Sequence, residues 1–476
     1  MPDTPRLRRS PAPRPKTGIV HLGPGAFFRA FCGTYTADAM QAGGGDWGVC
    51  AVSLRSPSVR DQLGPQDCAY TSVMLGPEGP KDTVVEVINS VLVAPENPNA
   101  VLVAMADPAV KIVSMTITEK GYCHNPATGD LRADHPDIIH DLANPDAPRS
   151  ALGFLVLALA RRRIAGHPPF TVLPCDNLPD NGALTRKVVL AFARQVSPDL
   201  ADWIAQYGAF PSTMVDRITP ATTDADIDAL AARQGYLDRA CVMHEPFRQW
   251  VIEDTFVGSL RPGWDTAGAQ FVTDVAAFES MKLRCLNGAH SALAYLGYLA
   301  GFETISQSVA DEGFARFIRA LWTQEVLPTI PPPEGTDLAS YCDDLNLRFA
   351  NPAIQHRTWQ IAMDGSQKVP QRLLGTIADC LEAGRAFPCL ALAVAGWMRY
   401  VQGVDEKGAV IDVRDPLAQQ LKAAADTEDQ VTGLLAVRDV FDPALAQNPE
   451  FSRAVKDAYA MLMSEGAMAA VRKAVL

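Results

Sequence analysis

The chain changes character near residue 276, and that change constrains its fold more than any other feature. Before it, short apolar runs of strand length recur at 18–22, 47–54, 68–75, 83–93, 110–118 and 170–174. Helical stretches at 30–41 and 151–165 are interspersed among them. The run 110–118 is β-branched and almost continuously apolar, as a strand buried on both faces must be. Strands alternating with helices predict a doubly wound α/β domain with a parallel sheet. After residue 281 the strand-like runs nearly vanish. Ala/Leu-rich helical segments take over at 289–300, 309–327, 371–383, 389–401, 415–425 and 450–475. The expected organisation is a flexible arm (1–17), an α/β domain (18–275) and a mainly α-helical domain (276–476).

Charge and special residues narrow the function. The 476 residues carry 42 basic and 54 acidic side chains, a net charge of −12. That balance disfavours nucleic acid and anionic membrane as partners. The longest apolar stretches, 151–160 and 389–398, are too short to span a bilayer. The first sixteen residues, MPDTPRLRRSPAPRPK, hold no apolar core and read as a disordered basic arm rather than a secretory signal. Ten scattered cysteines without a C-x-x-C pair suggest reduced thiols and a cytoplasmic setting. Eight histidines without metal-type spacing predict no metal site. The oligomeric state is left open between a monomer and a small homo-oligomer.

The segment Gly23-Pro24-Gly25-Ala26-Phe27-Phe28 follows the first strand and opens a helix. This is the setting of a dinucleotide-binding loop in a Rossmann-type domain. Gly23 suits a tight turn, and Gly25 lets the backbone approach a pyrophosphate at the helix N-terminus. Ala26, Phe27 and Arg29 join them as candidate cofactor-binding residues. Phe28 stands where a third glycine is usual. The second strand ends in Ser53-Leu54-Arg55-Ser56, without the acid that would accept a ribose 2′-hydroxyl. Arg55 fits either a 2′-phosphate or solvent, so the expected cofactor is NAD with NADP open.

The segment from Glu279 to Ser291 carries the chemistry. On an α-helix with Lys282 at about 0°, Glu279 falls near 60°, His290 near 80° and Asn287 near 140°. Leu286 and Leu283 share that arc, at about 40° and 100°. Polar groups interleaved with leucines suit the wall of a cleft better than a solvated face. A lysine of this kind can take the proton of an alcohol that gives up hydride. Side-chain amides can hold the developing alkoxide. Asn287 is one such donor. Asn177, in CDNLPDNG (175–182) just past a predicted strand, is a second.

Taken together, IVHLGPGAFFR (19–29), TITEKGY (116–122), CDNLPDNG (175–182), MVDRITP (214–220) and KLRCLNGAHS (282–291) resemble the mannitol dehydrogenase family of long-chain polyol dehydrogenases. The resemblance implies a Rossmann-type N-terminal domain, a mainly helical C-terminal domain and catalysis without metal. It implies Lys282 as general base, Asn177 and Asn287 as the oxyanion hole and His290 as a substrate-orienting group. Glu279 would assist proton exchange, and Asp216 falls at a further active-site position. The stretch NPAIQHRTWQIAMDGSQKVPQR (351–372) is similar to the fructuronate reductase (D-mannonate oxidoreductase) branch. Within it Lys368 or Arg372 could pair with a sugar-acid carboxylate. The expected partner is therefore a small sugar acid, interconverted with its alcohol by NAD(H). A neutral polyol is the alternative, and a non-catalytic dinucleotide sensor a remote one.

Overall fold

The apolar run TGIVHL forms β1 (Thr17–Leu22), the centre of the first sheet. The computed structural model describes residues 4–126 and 128–475, which fall into two units, Met1–Ala276 and Ala277–Leu476. The first unit adds β2 (Gly48–Ser53), β3 (Tyr70–Gly76), β4 (Gly79–Val85), β5 (Ile88–Val93), β6 (Ile112–Met115), β7 (Thr171–Pro174), β8 (Thr213–Asp216), β9 (Val242–His244), β10 (Gln249–Glu253) and β11 (Gln270–Val272). The main sheet runs β5-β2-β1-β6-β7, and every neighbouring pair in it is parallel. The strand order therefore reverses at β1, and the β1/β6 boundary is the switch point where this architecture binds ligands. Two smaller sheets, β11-β10-β8 and β4-β3-β9, complete the unit.

Two expectations are corrected here. The run 83–93 is not one strand. It breaks at Glu86-Val87, so that β4 pairs antiparallel with β3 while β5 joins the parallel sheet beside β2. The arm is also not free over its described residues. Leu7 is 5% exposed, and the backbone around it exchanges hydrogen bonds with Leu237 (Leu7 N to Leu237 O, 3.0 Å; Leu237 N to Pro5 O, 2.7 Å). Arg9 donates to the carbonyls of Ile88 (2.7 Å) and Glu86, and Arg14 to that of Asn89 (2.8 Å). Proline excludes a helix but is compatible with an extended segment whose remaining groups find partners at a sheet margin.

The second unit is helical, and three of its turns are π rather than α: Lys282–Gly288, Leu321–Val326 and Pro370–Leu374. Each interrupts a segment expected to be regular. The long helix expected over 450–475 breaks at Gly466 (φ +78°) into Pro449–Glu465 and Ala467–Lys473. Among the described residues no helix is long and apolar enough to cross a membrane.

Inside the π turn Leu321–Val326, Glu325 is 1% exposed. Its carboxylate accepts the amides of Cys389 (2.7 Å) and Leu390 (2.8 Å) and so caps the buried helix Pro388–Tyr400. Burial outweighs those bonds and pushes the carboxyl up from 4.5 to about 7. The folded chain then holds a proton that the unfolded chain releases near pH 4.5. This contribution to stability is complete below about pH 4.5 and is lost as pH rises through about 7. Denaturant unfolding at pH 5 and pH 8 should show a flatter pH dependence in Glu325→Gln than in the parent, whatever the variant's absolute stability. Leu7→Ala should cost about 2 kcal/mol in the same measurement, whereas a free arm would show no change.

Candidate active site

The glycine loop is pinned to both neighbours of β1. Gly23 donates to Val52 O at the end of β2 (3.0 Å), and Thr116 Oγ1, just past β6, donates to Gly23 O (2.7 Å). His21 is fully buried beneath the loop, with Nδ1 2.8 Å from Ser114 Oγ and Nε2 3.0 Å from Thr116 Oγ1. Burial pushes its imidazole down to about 3, so it is neutral. Gly23 has φ +88°, and a Cβ there would lie 2.3 Å from Thr116 O. Phe28, in place of the usual third glycine, is buried and stacks on the His21 ring with centroids 3.7 Å apart.

Gly25 is exposed, and a Cβ built on it would meet nothing nearer than 4.0 Å. Ala26 and Phe27 are half-buried at the start of a five-residue helix, Ala26–Ala30. Arg29 is turned inward. It is 6% exposed and donates to Ala240 O and to Gly25 O (3.3 Å), so it braces the loop from behind. Arg55 is exposed just beyond β2.

Past β7, the turn carrying Asn177 is clamped at both ends. Asp176 accepts the amides of Ile117 (3.0 Å) and Thr118 (2.8 Å) and the Tyr122 hydroxyl (2.8 Å). Asn181 donates to Asp176 O (3.0 Å) and Thr213 O (2.8 Å) and accepts from Thr213 N (2.9 Å). Asn177 stands exposed between these anchors, and Asp216 is buried at the end of β8.

In the second unit, Glu279 lies on the short helix Ala276–Met281, Lys282 and Asn287 on the π turn, and His290 on the helix Ala289–Leu299. The regular 100° spacing is corrected accordingly, because a π turn bonds i to i+5 and displaces later side chains around the axis. Lys282 is 8% exposed, while Glu279 and Asn287 are half-buried. Among the described residues the Asn287 amide has no hydrogen-bond partner. The Trp322 indole donates to Cys285 O (2.8 Å), a carbonyl within this turn. Gly288 faces the π turn Pro370–Leu374, since a Cβ there would lie 2.9 Å from Arg372 O.

That neighbouring turn brings cations to His290. Arg372 donates to Ser291 Oγ (3.3 Å), one residue from His290. Lys368 donates to the carbonyls of Ile361 (3.2 Å) and Met363 (2.5 Å). Among the described residues neither Lys368 nor Arg372 has a carboxylate within ion-pair distance. Burial, then Arg372, brings the Lys368 ammonium down to about 8. His290 packs on Phe349 (centroids 4.5 Å apart) and meets His356 edge-on (5.1 Å). Burial, with His356, Arg348 and Arg372 adding to it, holds His290 well below its ordinary value. His356 is held at about 4 by burial, Lys368 and Arg372. Two neutral imidazoles thus sit in a field of positive charge. Sequence reasoning assigned no role to His356 or Arg348. His356 lies inside the motif 351–372, whereas Arg348 lies in an ordinary helical pattern without a signal.

The Rossmann-domain model of mannitol dehydrogenase matches residues 17–266, and the model of its C-terminal domain matches residues 274–463. The chain belongs to the mannitol dehydrogenase family and is an oxidoreductase of that class. It is 48% identical to the uncharacterized oxidoreductase YeiQ of Escherichia coli K12 over 94% of this chain and 93% of that one. It is 47% identical to the D-mannonate oxidoreductase of the same strain over 95% of each. Among solved structures, the Pseudomonas fluorescens mannitol 2-dehydrogenase in ternary complex with NAD and D-mannitol superposes with a TM-score of 0.87 at 39% identity. That match covers 99% of this chain and 96% of the other.

The pinned loop makes a sharp prediction. Gly23→Ala combines a disfavoured φ with a backbone clash and should cost about 2 kcal/mol or more. Titration of the purified variant with NADH should show at least tenfold weaker binding, while Gly25→Ala, in open space, should bind more tightly than Gly23→Ala.

Proposed function

We propose that the chain interconverts a keto sugar acid and its alcohol with NAD(H), the pair being D-fructuronate and D-mannonate. The observation that carries this reading is the half-buried Arg372 guanidinium beside His290. It has one long hydrogen bond, to Ser291, and no carboxylate partner among the described residues. A partly desolvated cation without a counter-ion is costly, and a substrate carboxylate would offset that cost bidentately. Lys368 is less suited, because two of its three donors already hold the carbonyls of Ile361 and Met363. The 47% identity to a D-mannonate oxidoreductase supports the same choice.

The donor set fits a dinucleotide: a glycine loop at the β1/β6 switch point, with Gly25 exposed and open space over it. When bound, the nicotinamide accepts or supplies a hydride. Lys282 exchanges the hydroxyl proton at its Nζ, and Glu279, one turn earlier, relays protons to solvent. The amides of Asn177 and Asn287 donate to the substrate oxygen as its charge develops. His290, neutral, orients a hydroxyl, and Asp216 takes a further active-site position. A neutral polyol is the second reading, favoured by the likeness to the mannitol 2-dehydrogenase complex.

Assays of NADH oxidation with fructuronate and fructose side by side should show a clear preference for fructuronate, and preference for fructose would reverse the choice. Arg372→Lys, which loses the bidentate fork, should raise KM for fructuronate by about tenfold to a hundredfold. Lys282→Ala should lower kcat by about a hundredfold or more with NADH binding nearly intact. Near-normal turnover in Lys282→Ala would sink the mechanism.

A further inference from the structure

We propose that the chain binds NADP(H) about as well as NAD(H), with Arg55 and the hydroxyls of Ser56 and Ser58 receiving the 2′-phosphate. The proposal rests on the dinucleotide reading above and goes beyond it. In a Rossmann-type sheet the end of the second strand meets the adenosine ribose, and a carboxylate there both binds the 2′-hydroxyl and repels a 2′-phosphate. Here β2 ends at Ser53 and is followed by Leu54, Arg55 and Ser56, so that carboxylate is missing.

The same place opens into a cavity of about 800 Å³, lined in part by Leu54 and Arg55 after β2, Ala94 and Pro95 after β5, and Ile117 after β6. These residues follow the C-terminal ends of β5, β2 and β6, and β2 and β6 flank β1 with its glycine loop, where the adenosine half of a dinucleotide belongs. The charges facing Arg55 across the cavity are mostly of its own sign or titratable: Lys120, Arg149, His135 and His140. Asp137 is the one carboxylate among the lining residues, and it lies 4.0 Å from His135 Nδ1. The other nearby acids are already engaged, because Asp61 and Glu96 both pair with Arg60.

Among the described residues Arg55 itself has no ion pair, and it is exposed at the cavity's edge. Ser56 and Ser58 are exposed beside it, with their hydroxyls 2.9 Å apart. Two hydroxyl donors and a guanidinium on one short segment match the oxygens of a phosphate monoester.

The test uses the full chain and probes that need no catalysis. Binding of 5′-AMP and of adenosine 2′,5′-bisphosphate is measured by titration calorimetry, then NADH and NADPH by nicotinamide fluorescence. The expected result is a Kd for each 2′-phosphorylated probe within tenfold of its unphosphorylated counterpart. Arg55→Glu should weaken NADPH relative to NADH by at least tenfold. A preference for NADH above tenfold in the parent chain, or equal effects of Arg55→Glu on both nucleotides, overturns the proposal and leaves the dinucleotide reading standing. Failure to bind any of the four probes overturns both.

Discussion

The close approach of Gly288 to the Arg372 carbonyl organises the second unit. Two π turns meet there, one carrying Lys282 and Asn287, the other Arg372. A side chain at 288 would hold the turns apart, and with them the lysine segment and the cation. Each turn is stabilised where its backbone pattern is irregular. The Trp322 indole takes up the Cys285 carbonyl, and Ser291 receives the Arg372 guanidinium. The buried packing of these turns, rather than helix propensity, holds Lys282, Asn287, His290 and Arg372 in one region.

Electrostatics follows from that packing. A chain of net charge −12 nevertheless keeps Lys368, Arg372 and Arg348 around two imidazoles that burial holds neutral. Elsewhere in the same unit a buried carboxylate, Glu325, is spent on capping a helix, with two backbone amides as its partners. The contrast is informative. Where an ionisable group serves architecture, its partners come from the chain itself. Beside His290 the Arg372 guanidinium has only the Ser291 hydroxyl, at 3.3 Å, and no carboxylate partner among the described residues.

Much of this was legible in advance because it depends on local rules. The glycine loop was recognisable because a strand, a tight turn and a helix start must succeed one another within a few residues. The alternation before residue 276 and its loss afterwards follow directly from apolar periodicity. Other features escaped. The π turns did, because an angular reading assumes 3.6 residues per turn throughout, and the extra residue is inserted by packing against neighbouring turns. The division of 83–93 did, because both halves are good strand sequence and only their partners differ. The arm did, because prolines and arginines look disordered until Leu237, Glu86 and Ile88 supply their hydrogen bonds. Arg29 looked like a loop residue facing a cofactor, but its guanidinium finds carbonyl partners inside the unit.

By itself the sequence determined the division into an α/β part and a helical part, the parallel sheet, the glycine loop and the membership of Lys282, Asn287 and His290 in one short segment. Each of these depends on residues near one another in the chain. Tertiary structure alone decided which cations stand beside His290, which polar groups are already satisfied and where the end of β2 opens into a cavity. Those outcomes depend on burial and on partners far along the chain, as when Arg29 meets Ala240, 211 residues on, or Ser291 meets Arg372, 81 residues on. No pattern within a single segment encodes them.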